Sequence, residues 1–358
     1  MSENVPLLFN FCDIYNCMTS QEIKRKAQQL GFCGCGIIPS TVFNEYKQYL
    51  DERVESFPES ISLYESLYDH VRPPEAGKSI IVCIRGYNNY KVSKRLKGVI
   101  GKLYQFDPRI SHSYEYRAKV EFETYLGTLG IRLLKGTVPA RWAAAKAGLG
   151  KFGRNNFIYT QEHGSYVWID TWIIDKELDY DAMPENTLAS ACNENCRKCI
   201  KACPTKALSD SFSMDRGACV VQLALLTKGI PKENLRAGMR LWLYGCDECQ
   251  DACPLNKDKL NGTEDFPLLA EIEEYLQFEK VLEMDEDTYA NVVCPRFWYT
   301  GKDGLWQWKC NALRAMINSG DSKYHQLIKQ YCNHSDARLR EIAGWGCNLI
   351  NNGSNEEI

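Results

Sequence analysis

Apolar positions divide the chain into a mixed first half and a helical end. Thr19-Ser20-Gln21-Glu22 has the form of a capping box, Ile23, Ala27 and Leu30 follow at helical spacing, and Gly31 closes that helix. Short apolar runs bounded by turn residues predict strands over 33–38 and 79–84, with a polar, helix-like stretch between them. An amphipathic helix over 118–129 follows, with Val120, Tyr125 and Leu129 among its apolar positions. After it come a strand over 131–134, an Ala-rich helix over 141–147 and strands over 156–159 and 166–174. Helices alternating with strands across 18–180 predict an α/β domain. Beyond 300 the pattern is helical over 305–317, 324–331 and 337–349, joined by polar turns such as Asn318-Ser319-Gly320-Asp321, like the helix pairs of a short α-solenoid. Residues 351–358 read as a disordered tail.

Length and composition narrow the picture. At 358 residues the chain has room for two or three domains, and 44% apolar with 25% charged residues is ordinary for a globular protein. A net charge of −3 argues against broad nonspecific nucleic-acid binding, though not against a local basic patch. The 20 Tyr and 8 Trp suit large pockets or flat-ring ligands as well as an ordinary core. No signal pattern opens the chain and no run of about 18 apolar residues occurs, so a cytoplasmic location is expected.

In a reducing compartment 17 cysteines point to metal ligation rather than disulfides, and they are unevenly placed. Eight fall between Cys192 and Cys253; Cys12, Cys17, Cys33, Cys35, Cys83, Cys294, Cys310, Cys332 and Cys347 are scattered and read as ordinary thiols. If Cys33-Gly34-Cys35 is a strand, its two thiols point apart. Cys192, Cys196, Cys199 and Cys203-Pro204 depart from the bacterial ferredoxin run C-x2-C-x2-C-x3-C-P only in a first gap of three. Cys246, Cys249 and Cys253-Pro254 repeat its end, with Cys219 upstream. The last cysteine of such a run ligates the other cluster. Cys192, Cys196, Cys199 and Cys253 are therefore assigned to one [4Fe–4S] cluster, and Cys203, Cys219, Cys246 and Cys249 to a second. Zinc also takes four thiolates, but two Cys-x3-Cys-Pro ends in tandem favour clusters. A bare ferredoxin needs only this segment, so the α/β protein in front should hold what the electrons reduce.

Ala147-Gly148-Leu149-Gly150, then Gly153-Arg154-Asn155-Asn156 and Gly164-Ser165, then the first cysteine run with Cys203-Pro204-Thr205-Lys206-Ala207-Leu208, and finally Tyr244-Gly245-Cys246-Asp247-Glu248-Cys249-Gln250 together resemble the epoxyqueuosine reductases. These are cobalamin-dependent enzymes of tRNA queuosine synthesis, more distantly similar to the cores of reductive dehalogenases. The resemblance spans roughly 18–350. It implies an α+β protein of three parts: a nitroreductase-like α/β corrinoid-binding catalytic domain (1–185), a ferredoxin-like double [4Fe–4S] domain (186–260) and C-terminal HEAT-like helices (261–358). The corrin would be bound base-off, without a protein ligand to cobalt. None of His70, His112, His163, His325 and His334 lies in the D-x-H-x-x-G context by which other corrinoid proteins supply one. Cob(I)alamin is a strong reductant, so low-potential clusters beside it make chemical sense, and an external low-potential donor of ferredoxin or flavodoxin type is expected. Gly148, Gly150 and Gly153 would bring backbone amides to the corrin, and Arg154, Asn155 and Asn156 would hydrogen-bond its amides or phosphate.

The family carries an aspartate about a dozen residues before A-G-L-G, whereas residues 131–150 contain no Asp or Glu. Reducing an epoxide needs a proton source, for which Tyr116, Lys135 and Tyr159 are candidates. Arg141 matches a family arginine and is a candidate for substrate or cofactor contact. The family docks tRNA on its helical extension. Here that region holds Lys302, Lys309, Arg314, Lys323, Lys329, Arg338 and Arg340, interleaved with Asp303, Asp321, Asp336 and Glu341. Two alternatives stay open: a paralogue reducing another small molecule by dehalogenase-like chemistry, and an electron-transfer protein serving a separate corrinoid enzyme.

Overall fold

The computed structural model describes residues 11–109, 113–188 and 190–353. The chain forms two compact units, 1–88 with 111–196, and 89–110 with 197–358. Among the described residues no helix is long and apolar enough to cross a membrane.

Among its described residues the first unit contains six strands: β1 (Gly34–Pro39), β2 (Ser79–Gly86), β3 (Leu133–Leu134), β4 (Lys151–Phe152), β5 (Ile158–Tyr159) and β6 (Val167–Ile174). An antiparallel sheet is ordered β1-β2-β6-β3, and β4 with β5 makes a separate hairpin. The run Ile80-Ile81-Val82-Cys83-Ile84 lacks polar alternation because β2 is covered on both faces. Ile81 and Cys83 join Ile37, Trp172 and Ile174 on the face that meets helices Phe11–Gln29 and Tyr114–Thr128 through Ile23, Ala27, Ala118, Phe122 and Leu126. Helix Ala140–Lys146 packs on the sheet as well. Its buried row Ala143-Ala144-Ala145 permits a close approach, and a Cβ on Gly36 would stand 2.8 Å from the Ala147 Cβ. Since Gly36 alternates with Cys35 and Ile37, this helix covers the opposite face.

Helix Phe11–Gln29 runs through the capping-box sequence, correcting the expectation that it starts there. Thr19 and Ser20 are buried inside it, and the Ser20 hydroxyl accepts the Asp179 N–H at 3.1 Å. A serine oxygen engaged by another element has no need to cap its own helix. Gly31 does end the helix, in the left-handed conformation at φ 80°.

The second unit includes 89–110, a stretch the sequence placed with the first domain. Backbone pairing holds it there: Gly101 N–H donates to Tyr244 O, Leu243 N–H to Val99 O and Lys91 N–H to Glu264 O, each at 2.8 Å. Helices Lys198–Ala202 and Glu248–Asp251 pack together. Each is followed by a cysteine preceding proline: Cys203 and Cys253 are extended at φ/ψ −65°/112° and −80°/123°, as a residue before proline requires. Helices Leu305–Ser319, His325–Tyr331 and Ala337–Gly353 complete the unit. The last helix continues into part of the expected tail, and 354–358 lie outside the described residues.

Helix Leu305–Ser319 binds the cysteine segment through buried polar groups. Asn311 Nδ2 donates to Ala224 O at 3.0 Å and Leu243 O at 3.1 Å. The Arg314 guanidinium, 1% exposed, donates to Arg240 O and Trp242 O. With no carboxylate beside it, burial pulls the Arg314 pKa down to about 9.

Candidate functional site

Six of the eight segment cysteines fall within the second unit, and Cys203, Cys219, Cys246 and Cys249 interact electrostatically there, with Cys199 also acting on Cys249. Cys219 precedes helix Val220–Leu225, where backbone N–H groups of Val221 and Gln222 face its sulfur. Cys246 meets the Glu248 N–H in the same way. Burial first, and then the charges of Cys219 and Cys203, push the Cys249 thiol well up; burial and Cys249 with Cys219 do the same to Cys246. Among the described residues no three Cys, His, Asp or Glu side chains close on one point as around a single metal ion. Burial opposes ionisation of Cys219, Cys246 and Cys249, a cost that the positive charge of cluster iron would offset. The donor set therefore fits an iron–sulfur cluster. Cys192 and Cys196 end the first unit, while Cys199 and Cys253 are buried in the second; their grouping rests on spacing.

Local packing accounts for Tyr244-Gly245-Cys246. The Tyr244 ring, 1% exposed, stacks on Trp308 with centroids 5.2 Å apart, and its hydroxyl accepts the Tyr299 N–H at 3.0 Å. Gly245 has φ 88°, and a Cβ there would meet the Tyr104 ring at 2.6 Å. Only glycine turns the chain at that point to aim Cys246 inward.

The loop of hairpin β4–β5 is the second constellation. Gly153 N–H donates to Phe157 O, Asn156 N–H to Gly153 O, and Asn155 Nδ2 to the Tyr159 hydroxyl at 3.0 Å. Asn156 takes a left-handed φ of 65°, is 8% exposed, and leaves its Nδ2 buried without a hydrogen-bond partner. Arg141 donates to Asn156 O at 2.9 Å and lies 4.7 Å from the Phe157 ring centroid. The Tyr49 hydroxyl donates to Asn156 Oδ1 at 3.2 Å, and Tyr46, Tyr49, Trp142 and Phe152 form a connected aromatic cluster. A strained, buried amide with a free donor beside aromatic walls fits a ligand rich in carbonyl acceptors, as a corrin bearing peripheral amides is.

This loop is hydrogen-bonded to Cys192, which the sequence assigns to a cluster. The Arg154 N–H donates to Cys192 Sγ at 3.4 Å and its guanidinium to Glu194 O. Ala191 N–H also donates to Phe152 O at 2.8 Å.

The structure thus joins Arg141, Arg154, Asn155, Asn156 and Tyr159 into one network. The glycines have reasons of their own. Gly148 ends helix Ala140–Lys146 at φ 69°, while Cβ atoms at Gly150 and Gly153 would meet Ile158 at 2.5 Å and Tyr159 at 2.3 Å. Tyr116 stands apart on helix Tyr114–Thr128, across the sheet, and Lys135 is exposed beyond β3. Tyr49, absent from the sequence candidates, is brought in from helix Asn44–Ser56, 107 positions away in sequence.

Of the basic C-terminal residues, Arg314 is buried and cannot reach a phosphate. Arg338 pairs with Asp336 at 2.6 Å, and Lys323 lies 3.6 Å from Asp321 and 3.8 Å from Glu279. Among the remaining cysteines, Cys35 and Cys83 face each other across β1 and β2, and the Cys332 and Cys347 sulfurs lie 3.0 Å apart.

Residues 191–256 match the model of a 4Fe-4S double cluster binding domain. A protein of Cellulophaga algicola named epoxyqueuosine reductase is 29% identical over 260 residues, covering 66% of this chain and 79% of that protein. The Bacillus subtilis protein of the same name is 37% identical over 138 residues, 38% of this chain and 33% of its own. A crystal structure of the Bacillus subtilis enzyme, described with its aspartate-bearing catalytic loop swung out of the active site, is 25% identical. It aligns over 92% of this chain and 89% of its own, with a TM-score of 0.72. An epoxyqueuosine reductase solved with an epoxyqueuosine-modified tRNA stem loop shows the same fold at 24% identity and a TM-score of 0.72.

Proposed function

We infer that this chain, a relative of the epoxyqueuosine reductases in sequence and fold, is a cytoplasmic cobalamin- and [4Fe–4S]-dependent reductase whose best-supported substrate is epoxyqueuosine in tRNA. The observation that carries this reading is the hydrogen bond from the Arg154 backbone to Cys192 Sγ, which joins the hairpin loop to a cluster ligand. Cys192, Cys196, Cys199 and Cys253 would hold the cluster nearer the loop; Cys203, Cys219, Cys246 and Cys249 would hold the other, which takes electrons from a ferredoxin- or flavodoxin-type donor.

Cobalamin, bound base-off, would supply a strongly reducing cobalt for the two-electron step. This chain's residues do the remaining work. Asn156 Nδ2 offers its free donor to the cofactor's amide carbonyls, and Arg141 holds the Asn156 carbonyl in place. Gly150 and Gly153 keep the backbone close-packed so that Arg154 and Asn155 stay positioned, and Gly148 supplies the left-handed turn that leads into the hairpin. An N–H donated to a cluster sulfur stabilises negative charge there and tunes the potential. Among the proton-source candidates, Tyr159 is the one in the loop network.

The test is anaerobic conversion of epoxyqueuosine in a tRNA stem loop by protein loaded with both clusters and cobalamin. Formation of queuosine supports the reading; no conversion by fully loaded protein rejects this substrate. One observation favours a second reading. Residues 131–150 carry no carboxylate, whereas the Bacillus subtilis structure is described by such a loop. A paralogue reducing another small molecule, with tyrosine as acid, accounts for that loss.

A further inference from the structure

Lys102 is a buried cation held against the turn that carries Cys246 and Cys249. Its side chain is 11% exposed and lies 3.4 Å from Asp247 Oδ2, itself 6% exposed, and it also binds Asp251. The Lys102 backbone N–H donates to the same Asp247 oxygen at 2.8 Å, fixing the carboxylate twice. The segment is locked to the cysteine turn on its other side: Gly101 N–H donates to Tyr244 O, and a Cβ on Gly101 would lie 3.2 Å from the Cys246 nitrogen. Asp247 lies in sequence between the two thiols, and its charge acts on both.

Burying this charge is costly, and a well-packed apolar residue usually serves stability as well or better. Its place beside the thiols gives it another use. Reducing a cluster adds one negative charge, which a nearby cation stabilises and a nearby carboxylate opposes, more strongly where water is excluded. Lys102 offsets Asp247 and half-exposed Asp251 at this position.

We propose that Lys102 is a positioning residue that raises the reduction potential of the cluster bound by Cys203, Cys219, Cys246 and Cys249, making it the station that accepts electrons from the donor. This rests on the cluster assignment above. The test is an anaerobic redox titration, followed by electron paramagnetic resonance, of the full chain and its Lys102→Met, Lys102→Arg and Asp251→Asn variants, with iron and sulfide counted in each. Lys102→Met should move one cluster to a more negative potential by about tenfold in its reduction equilibrium (~59 mV for one electron) and leave the other in place. Lys102→Arg should restore it, and Asp251→Asn, on a half-exposed side chain that folding tolerates, should move it the opposite way. Unmoved potentials in both Lys102→Met and Asp251→Asn at full iron content overturn the proposal alone. If Lys102→Met fails to hold iron, an unmoved potential in Asp251→Asn overturns it. A wild-type chain without iron overturns the cluster reading as well.

Discussion

Asn156 shows what a single residue can and cannot announce. Its place after Gly153-Arg154-Asn155 marks a turn, but its left-handed backbone, buried unpaired amide and bond from Tyr49 arise only when distant segments meet. Asn156→Ala removes the free donor and strains a left-handed position, so cobalamin affinity should fall about tenfold or more, measured by titration of the visible spectrum. The cluster cysteines are the opposite case. Their proposed ligand role rests on local spacing along the chain, whereas Lys102 reaches Asp247, between Cys246 and Cys249, from 145 positions away. Cys253→Ala, by the crossed ligation of the ferredoxin pattern, should cut bound iron from about eight to about four per chain and spare the second cluster. Two intact clusters in that variant would refute the crossing. Asp336, whose carboxylate accepts the Arg338 N–H at 2.8 Å, opens the last helix. The Arg338 hydrogen bond holds its pKa down to about 2. Its stabilisation is therefore present above pH 3.8 and lost as pH falls toward 2. At neutral pH Asp336→Ala should cost about 1 kcal/mol through the lost cap, with the exposed ion pair adding little; thermal denaturation measures it.

At the scale of elements, periodicity found the sheet strands and the long helices because each is locally patterned and buried on a definite face. It misplaced the start of the first helix, where Ser20 makes its bond to another element rather than to its own turn. It also left 89–110 with the first domain, since the backbone bridges to Tyr244 and Glu264 are pairings without a side-chain signature. Helix Leu305–Ser319 follows a similar logic. Its apolar stripe was visible, but the buried Asn311 and Arg314 that fasten it to carbonyls of the cysteine segment read as ordinary polar positions. Asn311→Leu leaves two buried carbonyls without that donor and should destabilise the second unit by about 2–4 kcal/mol, seen as a lower melting temperature with iron retained below it.

For the whole molecule, the sheet and hairpin loop belong to one unit, and the thiols proposed for the second cluster, with the C-terminal helices, to the other. Because Cys203, Cys219, Cys246 and Cys249 share a unit with helix Leu305–Ser319, removing iron under anaerobic chelation should lower the melting temperature of that helical region, through the linkage of ligand binding to folding. The central proposal is a corrinoid seated at the hairpin loop of a chain that also holds two clusters. Anaerobic titration of cobalamin into iron-reconstituted protein tests this most directly. It should saturate at one corrinoid per chain with a base-off spectrum, at about eight iron per chain. Protein holding its full iron yet taking up no cobalamin would contradict the account.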